Sequence, residues 1–117
     1  MRVEVKGRNV PVSEELREHV EREFRVIARQ VSELAELELE IFQEQNPSIA
    51  DSKVVEATLH LKGVTLRASS ARRDVHQAVN KVAEELTVQV KRHRDKRRSY
   101  RAEHHDVLPA EPVVDLN

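Results

Sequence analysis

Two different periodicities of apolar residues follow each other in the first part of the chain. Val3 and Val5 alternate with charged residues, and this period of two predicts a short strand that ends at Gly7. After Ser13, which is suited to cap a helix, apolar residues recur at spacings of three and four, so we expect one amphipathic helix of roughly 18 residues. Its apolar stripe consists of Leu16, Val20, Phe24, Ile27 and Val31.

Three more stretches show the period of two that is typical of strands with one buried face. In residues 36–41, leucine and isoleucine alternate with glutamate, so one face is apolar and the other is a row of carboxylates. Residues 53–62 and 64–68 alternate in the same way, and Lys62-Gly63 between them is a signal for a tight turn. We therefore expect the last two strands to pair as a hairpin.

A second helical stripe begins at Val75 and ends at Val90. Asp74 starts a pattern that resembles a capping box. Residues 91–101 contain neither glycine nor proline, so we expect the helix to continue to about residue 100. At about 1.5 Å per residue such a helix is roughly 40 Å long, and its last turns project beyond the core.

The predicted order of elements is β-α-β-β-β-α, which describes an α+β fold. One apolar face per strand and one stripe per helix favour a two-layer sandwich, in which a four-stranded sheet carries two helices on one face. The first β-α-β step needs a crossover, so we expect the first two strands to be parallel neighbours and the others to be joined by hairpins. One domain over residues 1–101 is expected, followed by a flexible acidic tail over residues 102–117.

The overall composition excludes several classes of protein. A length of 117 residues suits a single domain, and the lack of cysteine excludes a disulfide framework or a thiolate metal site. No stretch approaches the roughly 18 apolar residues of a membrane span, and the N-terminus lacks the apolar region of a signal peptide. We expect a soluble cytoplasmic protein with no membrane partner. Phosphate loops, nucleophile elbows and metal-ligand motifs are also missing, which predicts no enzymatic activity, no cofactor, no metal and no small-molecule substrate.

The formal net charge of −1 conceals three unlike segments. Residues 1–60 carry a net charge of −5, residues 61–101 one of +8, and residues 102–117 one of −4. The charge density is highest in residues 91–101, where seven basic residues accompany one acid. Such a cluster repels itself unless an anion is near, so polyanion binding is the first hypothesis, with a solvated helix end as the alternative.

The types of basic and aromatic residue favour structured RNA as the polyanion. Fourteen of the 20 basic residues are arginine, whose guanidinium suits bidentate contacts with phosphate. Only 3% of the residues are aromatic, and Phe24 belongs to a core stripe, so a platform for stacking bases is not expected. A GXXG loop is also missing. These features favour recognition of RNA through its shape and its backbone.

Three segments, taken in order, resemble the ribosome hibernation-promoting factor and ribosome-associated inhibitor family, formerly called sigma-54 modulation proteins. The family's first strand, turn and helix are similar to VEVKGRNVPVSEELREHVEREF, its hairpin to VVEATLHLKGVTLRAS, and its second helix to DVHQAVNKVAEELTVQVKRHRDKRR. The resemblance covers about residues 1–100 and implies a β-α-β-β-β-α fold, which is similar to double-stranded-RNA-binding domains. The C-terminal dimerisation domain of the family's long forms is not part of this sequence, so we expect a short form or a truncated long form.

The resemblance implies a ribosome hibernation factor. Members of the family bind the small ribosomal subunit in the channel for mRNA and tRNA and keep ribosomes inactive under stress. We expect this chain to be monomeric off the ribosome and to contact rRNA mainly with its second helix, with Arg8, Arg72 and Arg73 as additional candidates. The sequence departs from the family at two places: His76 stands where the family commonly has an aromatic residue, and Arg72-Arg73 stand where it commonly has acidic residues. These departures weaken the expectation of rRNA contacts at the start of the second helix. The contacts expected on the second helix are Lys81, Lys91, Arg92, Arg94, Lys96, Arg97, Arg98 and Arg101.

Two alternatives remain open. The acidic strand face, with Glu36, Glu38 and Glu40, suits the recruitment of a protein partner. The basic helix also suits generic double-stranded RNA that has no connection with ribosomes. Cosedimentation with ribosomal subunits distinguishes both alternatives from a hibernation factor.

Overall fold

The computed structural model describes residues 1–44 and 50–107, with side chains as far as Lys96. Its elements follow the predicted order, except that the first predicted helix is divided into two, and the α+β fold class is confirmed. In chain order the elements are β1 (Arg2–Arg8), α1 (Glu14–Glu23), α2 (Arg25–Gln30), β2 (Glu36–Gln43), β3 (Lys53–Leu61), β4 (Val64–Arg72) and α3 (Val75–Val107).

The four strands form one mixed sheet in the order β1-β2-β3-β4. β1 and β2 are parallel, with Val5 opposite Leu39, as expected for strands joined by a helical crossover. β2 and β3 are antiparallel, and β3 and β4 form the predicted hairpin, in which Leu61 lies opposite Val64. Gly63 closes the hairpin turn with a φ of 79°, a left-handed conformation that glycine adopts without steric cost.

A single core lies between the helices and one face of the sheet. The alternate residues Leu37, Leu39 and Ile41 of β2 are at most 1% exposed, and the inward positions of α3 from Ala78 to Val90 are at most 4% exposed. Both sets were predicted from their periodicity. The residues that alternate with them in the strands, the glutamates of β2 among them, lie on the outer face of the sheet.

The division of the first helix at Phe24 differs from the prediction of one continuous helix. Phe24 adopts φ −94° and ψ 6°, yet its N–H donates to the Val20 carbonyl and its own carbonyl accepts from Ala28, both at 3.0 Å. The predicted stripe is nonetheless correct, since all of its members up to Ile27 are buried. Phe24 is the largest buried side chain of the stripe, and no glycine or proline lies nearby, so we attribute the break to packing of this ring in the core.

The last helix, α3, continues to Val107, so its end was predicted too early. Residues 102–107, the first part of the predicted flexible tail, are helical. They contain no glycine or proline, and the first residue that cannot continue a helix is Pro109. Residues 108–117 lie outside the described residues. With 33 residues, α3 is about 50 Å long.

Candidate nucleic-acid interface

The helix α3 has two parts that differ in burial. Up to Val90 its inward positions pack against the sheet: Leu86 is fully buried and Val90 is 3% exposed. Helical spacing places His93 and Arg94 next on the same side, and both are only half-buried. Core packing therefore ends at Val90. We call residues 91–107, the remainder of α3, the projecting segment.

Three basic side chains at the start of the projecting segment are exposed to solvent: Lys91, Arg92 and Lys96. No carboxylate among the described side chains lies within 4.0 Å of any of the three. The four ion pairs found in the described part of the chain involve other residues. Asp95 is the only acid in residues 91–101. Because no described carboxylate pairs with these three side chains, their charges create a positive potential that attracts anions.

Arg97, Arg98 and Arg101 of the predicted set continue the same helix, since their backbone belongs to α3. Their side chains lie outside the described part of the chain. From residue 91 to residue 101 the helix axis extends about 15 Å. All seven basic residues of this stretch therefore occupy a short length of one helix.

Lys81 is carried by the same helix, about three turns before Lys91. Its Nζ lies 3.0 Å from Glu84 Oε1, and its side chain is 41% exposed. The neighbouring carboxylate offsets part of its charge. Lys81 is therefore a weaker candidate for a phosphate contact than the exposed residues of the projecting segment.

Arg72 and Arg73 lie at the opposite end of α3. Arg72 is the last residue of β4, and both arginines are about 25 Å along the helix axis from Lys91. The Nη1 atom of Arg72 donates a hydrogen bond of 2.7 Å to the carbonyl of Ala71, whereas Arg73 is exposed. The fold does not bring either residue to the projecting segment.

Arg8 lies on the outer face of the sheet, away from the helices. Its Nη2 atom is 3.2 Å from Glu40 Oε1, and its guanidinium carbon lies 4.2 Å from the centre of the Phe42 ring. Both partners belong to β2, the neighbouring strand. An ion pair and a cation–π contact thus hold Arg8 on the sheet, and the sheet separates it from α3.

The acidic face of β2 also lies on the outer side of the sheet. Glu40 is paired with Arg8, and the Oε2 atom of Glu38 lies 3.3 Å from Nε2 of His60. Two of the three carboxylates proposed for a protein partner therefore have basic neighbours within the fold. This makes the acidic face a weaker candidate for a charged partner than the projecting segment.

A groove of about 630 Å³ lies beneath the start of the projecting segment and was not predicted. Its walls come from the connection between α2 and β2, from the end of β3, and from α3, which contributes His93 and Arg94. These parts are far apart in the sequence, and no linear motif joins them. The groove therefore could not be predicted from the sequence.

Within residues 1–44 and 50–107, no helix is both long enough and apolar enough to cross a membrane. The same described residues contain no group of three or more histidine, cysteine, aspartate or glutamate side chains that could hold a metal ion.

Comparison with known proteins shows the family of this chain. Residues 3–98 match the model of a family described as sigma 54 modulation protein / S30EA ribosomal protein. The matched range contains β1 from Val3 onward, the other three strands, and α3 as far as Arg98. A ribosome hibernation promoting factor of Salmonella typhimurium is 29% identical over 96 residues, which make up 82% of this chain and 96% of that protein.

Two solved structures are similar in fold. A ribosomal subunit interface protein from Coxiella burnetii superposes with a TM-score of 0.69 at 20% identity, covering 81% of this chain and 99% of that chain. The N-terminal domain of Protein Y from Thermus thermophilus superposes with a TM-score of 0.66 at 22% identity, covering 79% and 98% of the two chains. At these identities the likeness concerns the fold alone.

Proposed function

Because the chain belongs to the sigma 54 modulation protein / S30EA ribosomal protein family, we propose that it binds the small ribosomal subunit and contacts rRNA in the channel for mRNA and tRNA. This is the family of ribosome hibernation factors, which bind ribosomes and are not enzymes. In the proposed complex the protein occupies the space that mRNA and tRNA need. The ribosome is thereby kept inactive under stress by steric exclusion, without a chemical step.

The observation that carries the proposal is the exposed positive charge of three side chains at the start of the projecting segment. Lys91, Arg92 and Lys96 are exposed, and no described carboxylate lies within 4.0 Å of them. They can approach RNA phosphates without breaking an ion pair or uncovering the core. Contacts of this kind supply most of the affinity of sequence-independent nucleic-acid binding.

The packed half of α3 supports the projecting segment. Starting a helix is the costly step in its formation, whereas each further residue adds a hydrogen bond at little cost. The buried positions up to Val90 supply that start, so the basic residues beyond it can stay helical without core contacts of their own. The fold thus presents the basic side chains on a rod that is about 10 Å wide and excludes other chains from the space it fills.

Cosedimentation with purified small ribosomal subunits tests the proposal. Replacing Lys91, Arg92 and Lys96 together by alanine should weaken binding at least about tenfold, because each charge-assisted contact to a phosphate contributes about 1.5–3 kcal/mol. All three side chains are exposed, so the variant should fold normally. A wild-type protein that does not comigrate with small subunits would overturn the proposed function.

A matched control removes the same charge from the other side of the molecule. Arg2, Lys6 and Arg67 are exposed on the outer face of the sheet, and their joint replacement by alanine should change binding less than about threefold. If both triple variants lose affinity equally, net charge alone governs binding, and the interface is not on the projecting segment.

A further inference from the structure

The groove beneath the projecting segment has the size of a ligand site. Its volume of about 630 Å³ lies within the range of roughly 300–1,000 Å³ that is typical of sites for small molecules. It is located at the end of the sheet where β2 begins and β3 ends, and α3 passes over it after Val90. Most of the accessible surface of its lining is apolar, although seven of the twelve lining residues are polar or charged.

An exposed leucine stands at the rim of this groove. Leu34 is 88% exposed, and its position is fixed by the backbone. Its N–H donates to Ser32 Oγ at 3.0 Å, and the N–H of Ala35 donates to the Ser32 carbonyl, also at 3.0 Å. This hydrogen-bonded turn holds the Leu34 side chain outside the core. Leu34 and Leu61 both line the groove. Leu34 presents apolar surface that no other described residue covers.

Planar side chains form other parts of the lining. The helix α3 contributes the imidazole of His93 and the guanidinium of Arg94. Imidazole rings and guanidinium planes are groups on which unpaired RNA bases stack. In addition, the Nε atom of Arg94 is buried and has no hydrogen-bond partner among the described residues, so its capacity to donate is unused within the described part of the fold.

The charge of the lining favours an anionic occupant. Lys62 and Arg94 contribute two positive charges, and Glu36 is the only acid in the lining. Arg94 also belongs to the projecting segment, so the groove is continuous with the proposed RNA interface. A nucleotide combines an apolar, planar base with an anionic phosphate, which matches these features.

We propose that the groove holds one unpaired nucleotide of the RNA that the projecting segment binds. The base packs on Leu34 and Leu61 and stacks on His93 or Arg94, and the phosphate lies toward Lys62. This inference rests on the proposed function and extends it: the protein recognises an unpaired base next to the phosphates that the projecting segment contacts.

Titration of the full chain with adenosine 5′-monophosphate, followed by NMR, tests the groove without ribosomes. The methyl signals of Leu34 and Leu61 should shift with a Kd of about 1 mM, since one base makes few contacts. Ribose 5-phosphate, which lacks the base, should leave these signals in place. Equal shifts with both compounds, or none with either, would overturn the proposal. A Kd below about 10 µM would also overturn it, because it would identify a free nucleotide as the ligand.

Two matched variants separate the groove from the rest of the surface. Leu34→Glu places a carboxylate at the rim, whereas Val26→Glu places one on α2 at a residue that is 48% exposed and does not line the groove. Both variants replace an exposed apolar side chain and change the net charge equally. L34E should lower the affinity for adenosine 5′-monophosphate at least about tenfold, and V26E should leave it unchanged.

The same two variants, cosedimented with small subunits, distinguish this proposal from the proposed function. We expect L34E to bind several-fold more weakly than V26E. Equal binding of the two variants would overturn the groove proposal and leave ribosome binding intact. If L34E binds subunits weakly but adenosine 5′-monophosphate does not shift the leucine signals, the occupant is a ribosomal protein, and the nucleotide proposal fails. If the nucleotide binds but the wild type does not comigrate with subunits, the ribosomal function fails instead.

Discussion

Gly7, near the end of β1, lies against the backbone of the turn that follows. A Cβ atom at this position would collide with the carbonyl oxygen of Val10 and would lie 2.9 Å from Cγ2 of Val12. Two residues later, Asn9 has a φ of 60°, a left-handed conformation that asparagine tolerates better than most residues do. The G-R-N sequence therefore meets two separate needs of one turn, space at Gly7 and a left-handed backbone at Asn9.

At the residue scale we predict that Gly7→Ala destabilises the fold by about 2 kcal/mol, because the added methyl group forces the turn to move. Urea unfolding measures this change. Gly63→Ala is the control, since a Cβ at Gly63 meets nothing within 4 Å and the cost is limited to about 1 kcal/mol of left-handed strain. A smaller loss of stability for G7A than for G63A would contradict the close approach described here.

At the element scale, the residues of α3 up to Val90 should govern the stability of the fold, and the exposed basic residues after Val90 should govern binding. Leu86 is fully buried, so Leu86→Ala should lower the free energy of unfolding by about 3 kcal/mol. Alanine at Lys91, Arg92 and Lys96 should change it by less than about 0.5 kcal/mol, because these side chains are exposed and unpaired with any described carboxylate. Urea unfolding of both variants checks the prediction. If the triple variant loses as much free energy of unfolding as Leu86→Ala, the projecting segment contributes to the stability of the core.

The first predicted helix, which the structure divides into α1 and α2, shows what periodicity can and cannot predict for one element. The spacing of Leu16, Val20, Phe24 and Ile27 predicted the buried side of the helix correctly. It did not predict the break at Phe24, because no glycine or proline in the local sequence interrupts a helix there. The end of α3 was misjudged for a different reason: the charge pattern changes near residue 101, but residues 102–107 contain no glycine or proline and continue the helix.

On the scale of the whole molecule, the basic residues predicted to bind rRNA fall into separate locations. Those of residues 91–101 share the projecting segment, whereas Arg72 and Arg73 lie at the other end of α3 and Arg8 lies across the sheet. Exposed charges more than about 8–10 Å apart are largely screened from one another at physiological salt. The basic residues of 91–101 therefore act as a local site, and the acids of β2 on the far face of the sheet do little to offset their charge.

This separation predicts the salt dependence of binding. The logarithm of the affinity for small subunits should fall linearly with the logarithm of the salt concentration, since bound basic residues release counterions from RNA. Removing Lys91, Arg92 and Lys96 should reduce the slope by about 2–3, whereas removing Arg2, Lys6 and Arg67 should leave it unchanged. Binding measured at several salt concentrations between about 50 and 200 mM gives both slopes. Affinity that is independent of salt would instead favour a protein partner.

The sequence by itself determined the order of the elements, the buried face of each and the position of the basic segment after Val90. These properties depend on neighbours within a few residues, where a period of two or of 3.6 translates directly into a face. Only the tertiary structure decided which basic residues share a surface, that the first helix is divided at Phe24, and that Leu34, His93 and Arg94 line one groove. Such distances are set by the packing of segments that lie far apart in the chain, and no local pattern encodes them.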